Sequence, residues 1–203
     1  YNSYEIVNDN NDLIEYGESL ELNLVIENVG QYNTNAIIVE VETEDQYITM
    51  DNSESGIAFA IAGATAITES PISFSIHNNV PDGHYALFAV SLYDGEDNWN
   101  FTFNIEISAP VFEIVNPEII DENNDGVWDP GEEATITVDL INSGSASFNY
   151  YPGATMTTDN SNINILSGEN DNTFYAIPAN TTYEGSFAVE ALETTPLNTE
   201  VSF

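Results

Sequence analysis

Two stretches of the chain alternate apolar and polar residues almost strictly. The apolar positions are Leu20, Leu22, Leu24 and Ile26 in the first stretch, and Ala134, Ile136, Val138 and Leu140 in the second. A period of two puts every second side chain on the same face of an extended strand. Further short segments of this kind recur with turn signals about every 8–12 residues, and no segment has the helical period. The pattern predicts an all-β fold of the β-sandwich class.

A long hairpin is predicted near the middle of the chain. Residues 84–93 and 99–107 alternate on either side of the turn 94–97, and Trp99 is expected in the core because it is in register with Phe101 and Phe103. Upstream of this hairpin, the alternation of residues 57, 59 and 61 predicts a strand whose inner face is apolar.

The chain contains an internal repeat. Gly17-Glu18 and Gly131-Glu132 lie 114 positions apart, and so do the two Asn-x-Gly turns that begin at Asn28 and Asn142. The repeat predicts two tandem domains, residues 1–109 and 110–203, joined at Ala109-Pro110. By this alignment the first strand of the first copy is incomplete and the closing hairpin of the second copy is missing. We therefore expect a segment of a longer chain.

The stretch DENNDGVWDPGE, residues 121–132, matches the calcium-loop pattern D-x-[DN]-x-[DN]-G-x5-E. Hard cations such as Ca²⁺ take six to eight oxygen ligands, and odd-numbered spacing lets a short loop wrap them around one point. Gly126 occupies the position where such a loop turns sharply. The predicted metal ligands are Asp121, Asn123, Asp125, Asp129, Glu132 and the backbone carbonyl of Val127.

The flanks of this loop alternate as strands do, so the predicted ion would fasten a β-domain rather than operate a helical sensor. The alternative is a solvated acidic turn without metal, which the Asn, Asp and Gly content alone would favour. The first copy predicts a weaker second loop, because Val7 and Asp12 replace the first acid and the glycine. Its remaining oxygen ligands are Asp9, Asn11, Glu15 and Glu18.

The charge of the chain is extreme. Its 203 residues include 35 acids and no lysine or arginine, which gives a formal net charge of −35. Nothing here can neutralise phosphates, so nucleic acid is excluded as a partner, and anionic membrane surfaces are excluded for the same reason. No apolar stretch is long enough to span a membrane. The acidic field favours divalent cations.

Three explanations for the missing basic residues stay open. The first is a saline habitat, although that would not forbid arginine. The second, which we favour, is exposure to trypsin-like proteases, since a chain without Lys or Arg offers them no cleavage site. The third is a sequence that was trimmed or assigned from a density map rather than freely selected.

The acidic loop ending in PGE, the following TITVDLINSG and a P-D-G before a paired strand together resemble a bacterial Ig-like repeat module. Such modules occur in secreted and surface proteins of Bacteroidetes-type bacteria exported by the type IX route, including gingipain-like proteases and large adhesins. The resemblance implies two tandem Ig-like or fibronectin-III-like β-sandwiches, extracellular at the bacterial cell surface, non-catalytic and fastened by calcium.

The sequence offers few residues for catalysis and several for sugar binding. His77 and His84 are the only histidines, and neither lies beside a G-x-S-x-G elbow or a second histidine at zinc spacing. No catalytic residue is therefore predicted. Four aromatic residues could stack against a sugar: Trp99, Tyr150, Tyr151 and Tyr183.

Three functions follow from these observations. We expect a structural or adhesive stalk segment whose partners are neighbouring repeats of the same or adjacent chains. The alternatives are accessory domains of a secreted protease and a carbohydrate-binding module that takes a surface glycan; a protein ligand at the surface is also open.

Overall fold

The computed structural model describes residues 3–8, 13–148, 154–167 and 177–203. These residues form an all-β protein, as the alternation predicts, and no helix occurs among them. The chain divides into two compact units, Tyr1–Ala109 (unit 1) and Pro110–Phe203 (unit 2).

The described residues of unit 1 form nine strands in two antiparallel sheets. The first sheet has the order β1-β2-β7-β4, with β6 also paired to β2, and the second has the order β5-β3-β8-β9. The strands are β1 (Ser3–Ile6), β2 (Ser19–Glu27), β3 (Ile37–Glu42), β4 (Ile48–Asn52), β5 (Glu54–Ile57), β6 (Thr65–Ile67), β7 (Ile72–Ile76), β8 (His84–Tyr93) and β9 (Asn98–Ile107).

The core of unit 1 lies between its two sheets. The ring of Phe74 in β7 lies 5.1 Å from that of Phe88 in β8, and Phe88 stacks on Phe103 of β9 at 5.2 Å. Phe74 and Phe88 have no exposed surface. Because aromatic side chains from both sheets meet here, unit 1 is a β-sandwich.

Unit 2 has one four-stranded antiparallel sheet among its described residues. Its order is β10-β11-β13-β12. Its buried side chains include Ile136, Leu140 and Val189. The strands are β10 (Phe112–Asp121), β11 (Glu133–Asn142), β12 (Ile163–Ile165) and β13 (Thr181–Ala191).

The repeat seen in the sequence extends to individual hydrogen bonds. The amide of Tyr47 donates to Asp45 Oδ1 at 2.9 Å, and the amide of Asn162, 115 positions later, donates to Asn160 Oδ1 at 3.0 Å. The bond from Ile76 N to Glu18 O (2.8 Å) likewise has a counterpart from Ala191 N to Glu132 O (3.0 Å). The first sheet of unit 1 and the sheet of unit 2 are therefore built alike.

One difference between these sheets has a local cause. β13 pairs along the whole of β11, whereas β2 is paired by two separate strands, β6 and β7. Pro71 lies immediately before β7 and has no amide hydrogen to donate. The strand is therefore interrupted in unit 1 and continuous in unit 2.

Candidate metal loop and aromatic groove

The loop of residues 121–132 connects two adjacent antiparallel strands. Asp121 is the last residue of β10, and Glu132 immediately precedes β11. The register pairs Asp121 with Ala134, and the amide of Glu122 donates to the carbonyl of Glu133 at 3.1 Å. Strand pairing therefore brings the first and last positions of the predicted calcium loop to the same end of the sheet.

Two carboxylates of the loop are buried. Asp121 is 5% exposed and Glu132 is 8% exposed. Asp121 Oδ2 accepts a hydrogen bond from the amide of Gly126 at 2.7 Å. Glu132 accepts two, from Asn123 N to Oε1 at 3.1 Å and from Asp129 N to Oε2 at 2.9 Å. Burying a charged group is costly unless it is compensated, and here three loop amides compensate two charges.

The exposed part of the loop is shaped by two side-chain turns. Asn123 Oδ1 accepts from the amide of Asp125 at 2.8 Å, and Asp125 Oδ1 accepts from the amide of Val127 at 2.9 Å. Asn124 and Gly126 have positive φ angles, 59° and 85°. Glycine adopts that region without strain, and asparagine tolerates it better than most residues. The sharp turn expected at Gly126 is present.

Trp128 anchors the loop, which the sequence interpretation missed. Its indole Nε1 donates to the carbonyl of Glu132 at 2.9 Å, and its ring packs against the core cluster that contains Ala134 and Ile136. A single large aromatic residue within an acidic loop was the available signal, because an indole that is partly buried usually finds a partner for its N–H.

The donor set suits a hard cation, but its acids are not gathered around one point. A carboxylate offers about four acceptor positions, and the loop amides use one on Asp121 and two on Glu132. Asn123, Asp125 and Asp129 are exposed. Within the described residues no group of three or more Asp, Glu, His or Cys side chains is arranged to hold a metal. Calcium binding would therefore require the exposed acids to move toward the two buried ones.

The corresponding loop of unit 1 shares one feature with this site. The amide of Glu15 donates to Glu18 Oε2 at 2.9 Å, matching the bond from Asp129 to Glu132. Asp9 and Asn11 lie outside the described residues. The weaker second site remains a prediction.

The two histidines have partners within unit 1. His84 Nε2 lies 2.6 Å from Asp45 Oδ2, and the His84 ring meets that of Tyr47 edge-on at 5.0 Å. His77 Nε2 lies 3.0 Å from Thr49 Oγ1. Both arrangements connect neighbouring strands or loops, which is a structural role.

Trp99 lies outside the core, contrary to the expectation from its register. It is 40% exposed, although Phe103 on the same face of β9 is only 7% exposed. β9 extends beyond the end of the core, and there Trp99 lines a groove together with Tyr32, Asp94 and Asp97. The groove at the turn end of the β8–β9 hairpin therefore offers an aromatic surface to a ligand.

The loop opposite Trp99 is fixed by an asparagine. Asn28 Nδ2 donates to the carbonyls of Tyr32 (2.8 Å) and Ala60 (2.9 Å), and Asn28 Oδ1 accepts from the amide of Gly30 at 2.9 Å. The same loop leaves Val29 and Tyr32 almost fully exposed. Of the other aromatic candidates, Tyr183 is half-buried against unit 2's Leu140 cluster, and Tyr150 and Tyr151 lie outside the described residues.

No helix in the described part of the chain is long and apolar enough to cross a membrane.

No protein-family model and no curated protein matches the sequence. The resemblance to bacterial Ig-like modules therefore stays a hypothesis.

Proposed function

We propose that this chain is a non-catalytic structural or adhesive stalk segment of a larger bacterial surface protein, with β-sandwich repeats that calcium stabilises. The observation that carries the proposal is the pair of buried carboxylates, Asp121 and Glu132, at the junction of β10 and β11. The chain has no lysine or arginine to pair with them, so their compensation comes from three loop amides. A bound metal ion would add the positive charge that the amides do not supply.

The residues that would hold the ion are the six predicted from the sequence. They are Asp121, Asn123, Asp125, Asp129, Glu132 and the carbonyl of Val127. When bound, Ca²⁺ supplies two positive charges among four carboxylates that otherwise repel one another. The loop itself contributes the turn at Gly126 and the anchor at Trp128, which keep the ends of β10 and β11 together.

Calorimetric titration of the 203-residue chain with CaCl₂ tests the site. Extracellular calcium modules bind at about 10⁻⁴–10⁻³ M, so 1 mM calcium should stabilise unit 2 by about 0.4–1.4 kcal/mol. Asp121→Asn combined with Glu132→Gln should abolish both the binding heat and the stabilisation. Glu122→Gln is the matched control, because Glu122 lies in the same loop but is exposed and outside the ligand pattern.

The fluorescence of one tryptophan distinguishes the two units. The chain has two tryptophans, Trp99 in unit 1 and Trp128 in the calcium loop. The Trp99→Phe variant therefore reports on unit 2 alone, and its emission should change on adding calcium and return on adding chelator. Absence of a binding heat at several millimolar calcium, or binding unaffected by the double substitution, would refute the proposed site.

A second function is favoured by the groove beside Trp99. An exposed indole and the exposed Tyr32 ring offer stacking surfaces, while Asp94 and Asp97 offer acceptors for hydroxyl groups. Without a basic residue in the chain, the groove cannot compensate an anionic sugar. The ligand class would therefore be a neutral oligosaccharide. This function and the stalk function are compatible, since an adhesin can carry both.

A glycan array that includes neutral, uronic acid and sialylated oligosaccharides tests this second function. Trp99→Ala should remove binding of neutral glycans, whereas Tyr85→Ala should not, because Tyr85 is exposed on the same hairpin but outside the groove. Binding only of acidic glycans, or binding that survives Trp99→Ala, would contradict it. The accessory role in a secreted protease predicts neither glycan binding nor an effect of Trp99.

A further inference from the structure

The second sheet of unit 1 (β5-β3-β8-β9) carries large apolar side chains on the face that points away from the core. They are Ile38 (55% exposed), Tyr85 (59%), Leu87 (52%) and Tyr93 (42%). An antiparallel sheet that packs on one side usually has polar residues on the other. In the first sheet β7 follows this rule, because Ser73 and Ser75 alternate with its buried apolar residues. Exposed apolar residues grouped on one surface are typical of an interaction site.

Strand pairing gathers these side chains on one surface, which we call the outer face. It comprises Ile38, Glu40, Glu42, Tyr85, Leu87, Ala89 and Tyr93. Tyr93 pairs with Ile38, and Ala89 pairs with Glu42. Glu42 and Ala89 also line shallow depressions of this face. The small side chain of Ala89 thus leaves room between Leu87 and Tyr93, where a partner's side chain fits.

Carboxylates flank the apolar residues of the outer face. Glu40 pairs with Glu54 of β5, so two like charges lie directly opposite each other, which is destabilising. At the other side, the Tyr85 hydroxyl donates a hydrogen bond to the Glu106 carboxylate, and this bond, together with the charge of Glu106, raises the pKa of Tyr85. The chain has no lysine or arginine that could pair with these acids. The outer face therefore combines apolar surface with negative charge.

We propose that the outer face of unit 1 is a docking surface for a basic polypeptide segment in which arginine or lysine residues stand beside apolar ones. Covering the face removes Leu87 and Tyr85 from water, which is favourable. It also dehydrates the neighbouring glutamates, which is costly unless a cation meets them. Arginine suits this surface best, because its guanidinium group binds carboxylates through two hydrogen bonds and stacks on tyrosine rings.

Two other occupants match the charge of the outer face less well. A second copy of the chain would bring its own acids against these glutamates, and each copy carries a formal charge of −35. A neutral oligosaccharide would gain hydrogen bonds from the glutamates but nothing from their charge. Electrostatic complementarity therefore favours a cationic partner.

Calorimetric titration of the 203-residue chain with three synthetic peptides tests the proposal. Each peptide repeats one unit four times: Arg-Leu-Ser, Arg-Ser-Ser or Glu-Leu-Ser. At about 150 mM NaCl, where general charge attraction is screened, the Arg-Leu-Ser peptide should bind about tenfold more tightly than the Arg-Ser-Ser peptide. The reason is that only the first also buries apolar side chains. The Glu-Leu-Ser peptide should not bind.

Leu87→Ser tests the apolar part of the face. It should weaken binding of the Arg-Leu-Ser peptide about tenfold and leave binding of the Arg-Ser-Ser peptide unchanged. Ile61→Ser is the matched control, because Ile61 is exposed to a similar degree (51%) but lies outside the outer face. Both side chains are half in solvent, so thermal unfolding of the two variants should resemble that of the unchanged chain.

Glu42→Gln tests the charged part of the face. It should weaken binding of both basic peptides about two- to fivefold. Glu5→Gln removes the same charge from an exposed position on the outward face of the first sheet, where Glu5 pairs with Asn23, and should have almost no effect. Equal weakening by the two substitutions would mean that the peptides respond to the charge of the whole chain, and the proposal would be wrong.

Three further results would overturn the proposal. The two basic peptides could bind equally well, or sedimentation equilibrium could show a dimer that Leu87→Ser dissociates, in which case a second copy is the occupant. Alternatively, Leu87→Ser could abolish binding on the glycan array, which would make a sugar the occupant. The proposal goes beyond the stalk function, and the titrations are made in chelator, so they do not depend on the calcium loop. Trp99→Ala should leave peptide binding unchanged, which separates the outer face from the groove.

Discussion

The side chain of Asn142 is buried and forms hydrogen bonds to three segments of unit 2. It has no exposed surface. Its Nδ2 donates to the carbonyls of Ala146 (2.9 Å) and Ile177 (3.1 Å), and its Oδ1 accepts from the amides of Val111 and Gly144 (3.1 Å each). Backbone groups of three separate segments are thus satisfied by one amide. In unit 1 the corresponding Asn28 makes the same kind of contacts but is partly exposed.

Replacing this asparagine tests that role. Asn142→Ala leaves buried carbonyl and amide groups unpaired, so we expect a loss of about 2–4 kcal/mol in the free energy of unfolding of unit 2. Asn28→Ala should cost unit 1 less, about 1–2 kcal/mol, because water reaches the groups that it exposes. Urea denaturation of both variants provides the comparison. A loss below 0.5 kcal/mol for Asn142→Ala, as expected of a surface position, would show that the network is unimportant.

Asp94 provides a pH-dependent contact at the tip of the β8–β9 hairpin. Its Oδ1 accepts from the amides of Asp97 (2.9 Å) and Glu96 (3.1 Å), and these bonds, that from Asp97 first, lower the pKa of Asp94 below its ordinary value. Since the folded pKa is the lower one, the contribution of Asp94 is present above the unfolded pKa. It is lost as the pH falls through the folded pKa.

An NMR titration of the Asp94 carboxyl should therefore give a lower midpoint in the folded chain than in a peptide spanning residues 92–99. In Asp94→Asn the acceptor oxygen remains, and this tip should lose its acid sensitivity while keeping the turn. Equal midpoints in the chain and the peptide would mean that the amide bonds are not formed in solution.

At the scale of the strand, two neighbouring residues of β8 differ in burial. Replacing each of them tests how much the core of unit 1 contributes to its stability. Phe88 is fully buried between Phe74 and Phe103, whereas Leu87 is 52% exposed. Phe88→Ala should lower the free energy of unfolding of unit 1 by about 3–5 kcal/mol, because it removes buried surface and leaves a cavity. Leu87→Ala should change it by no more than about 0.5 kcal/mol. Thermal and urea unfolding, followed through Trp99 in a Trp128→Phe background, give both values.

Strands were easier to predict than their exact ends. The period of two identified β8 with its observed limits, His84–Tyr93, because each inward residue of that strand meets the opposite sheet. The same reasoning failed after Ile57: β5 ends there, and Phe59 and Ile61 are 54% and 51% exposed. Alternation marks the residues that could face a core but does not show where the opposing sheet ends. Trp99 was misplaced for the same reason.

Residue identity alone would align β7 with β13 two positions away from their structural register. Ser73-Phe74 and Ser186-Phe187 are the same residue types, but strand pairing makes Phe74 equivalent to Val189, because Leu20 pairs with Phe74 and Ala134 pairs with Val189. The strand break near Pro71 changes the number of positions that separate equivalent residues of the two units. In the loop, by contrast, the oxygen positions and Gly126 were visible in the sequence, whereas the amide bonds to Asp121 and Glu132 depend on the folded backbone.

At the scale of the whole molecule, the dominant physical fact is a charge of −35 without a compensating basic residue. Such a chain repels itself when compact, and mobile cations screen that repulsion with a Debye length of about 10 Å at 0.1 M salt. Two effects of added ions must therefore be separated: general screening, which acts on both units, and binding to the loop 121–132, which acts on unit 2.

Comparing three salts separates them. Raising NaCl from about 10 mM to about 150 mM should increase the unfolding midpoints of both units, because screening does not depend on a site. Adding 1 mM CaCl₂ at 150 mM NaCl should then stabilise unit 2 by about 0.4–1.4 kcal/mol, which corresponds to a few degrees, and unit 1 by less, because its loop lacks the first acid and the glycine. MgCl₂ at the same concentration should do less, since Mg²⁺ demands a stricter octahedral geometry and keeps its waters. Single-tryptophan variants, with Trp99 or Trp128 retained, report the two midpoints separately. If calcium and magnesium stabilised both units equally, the ions would be acting through the charge of the whole chain, and the loop would be an acidic turn without a metal.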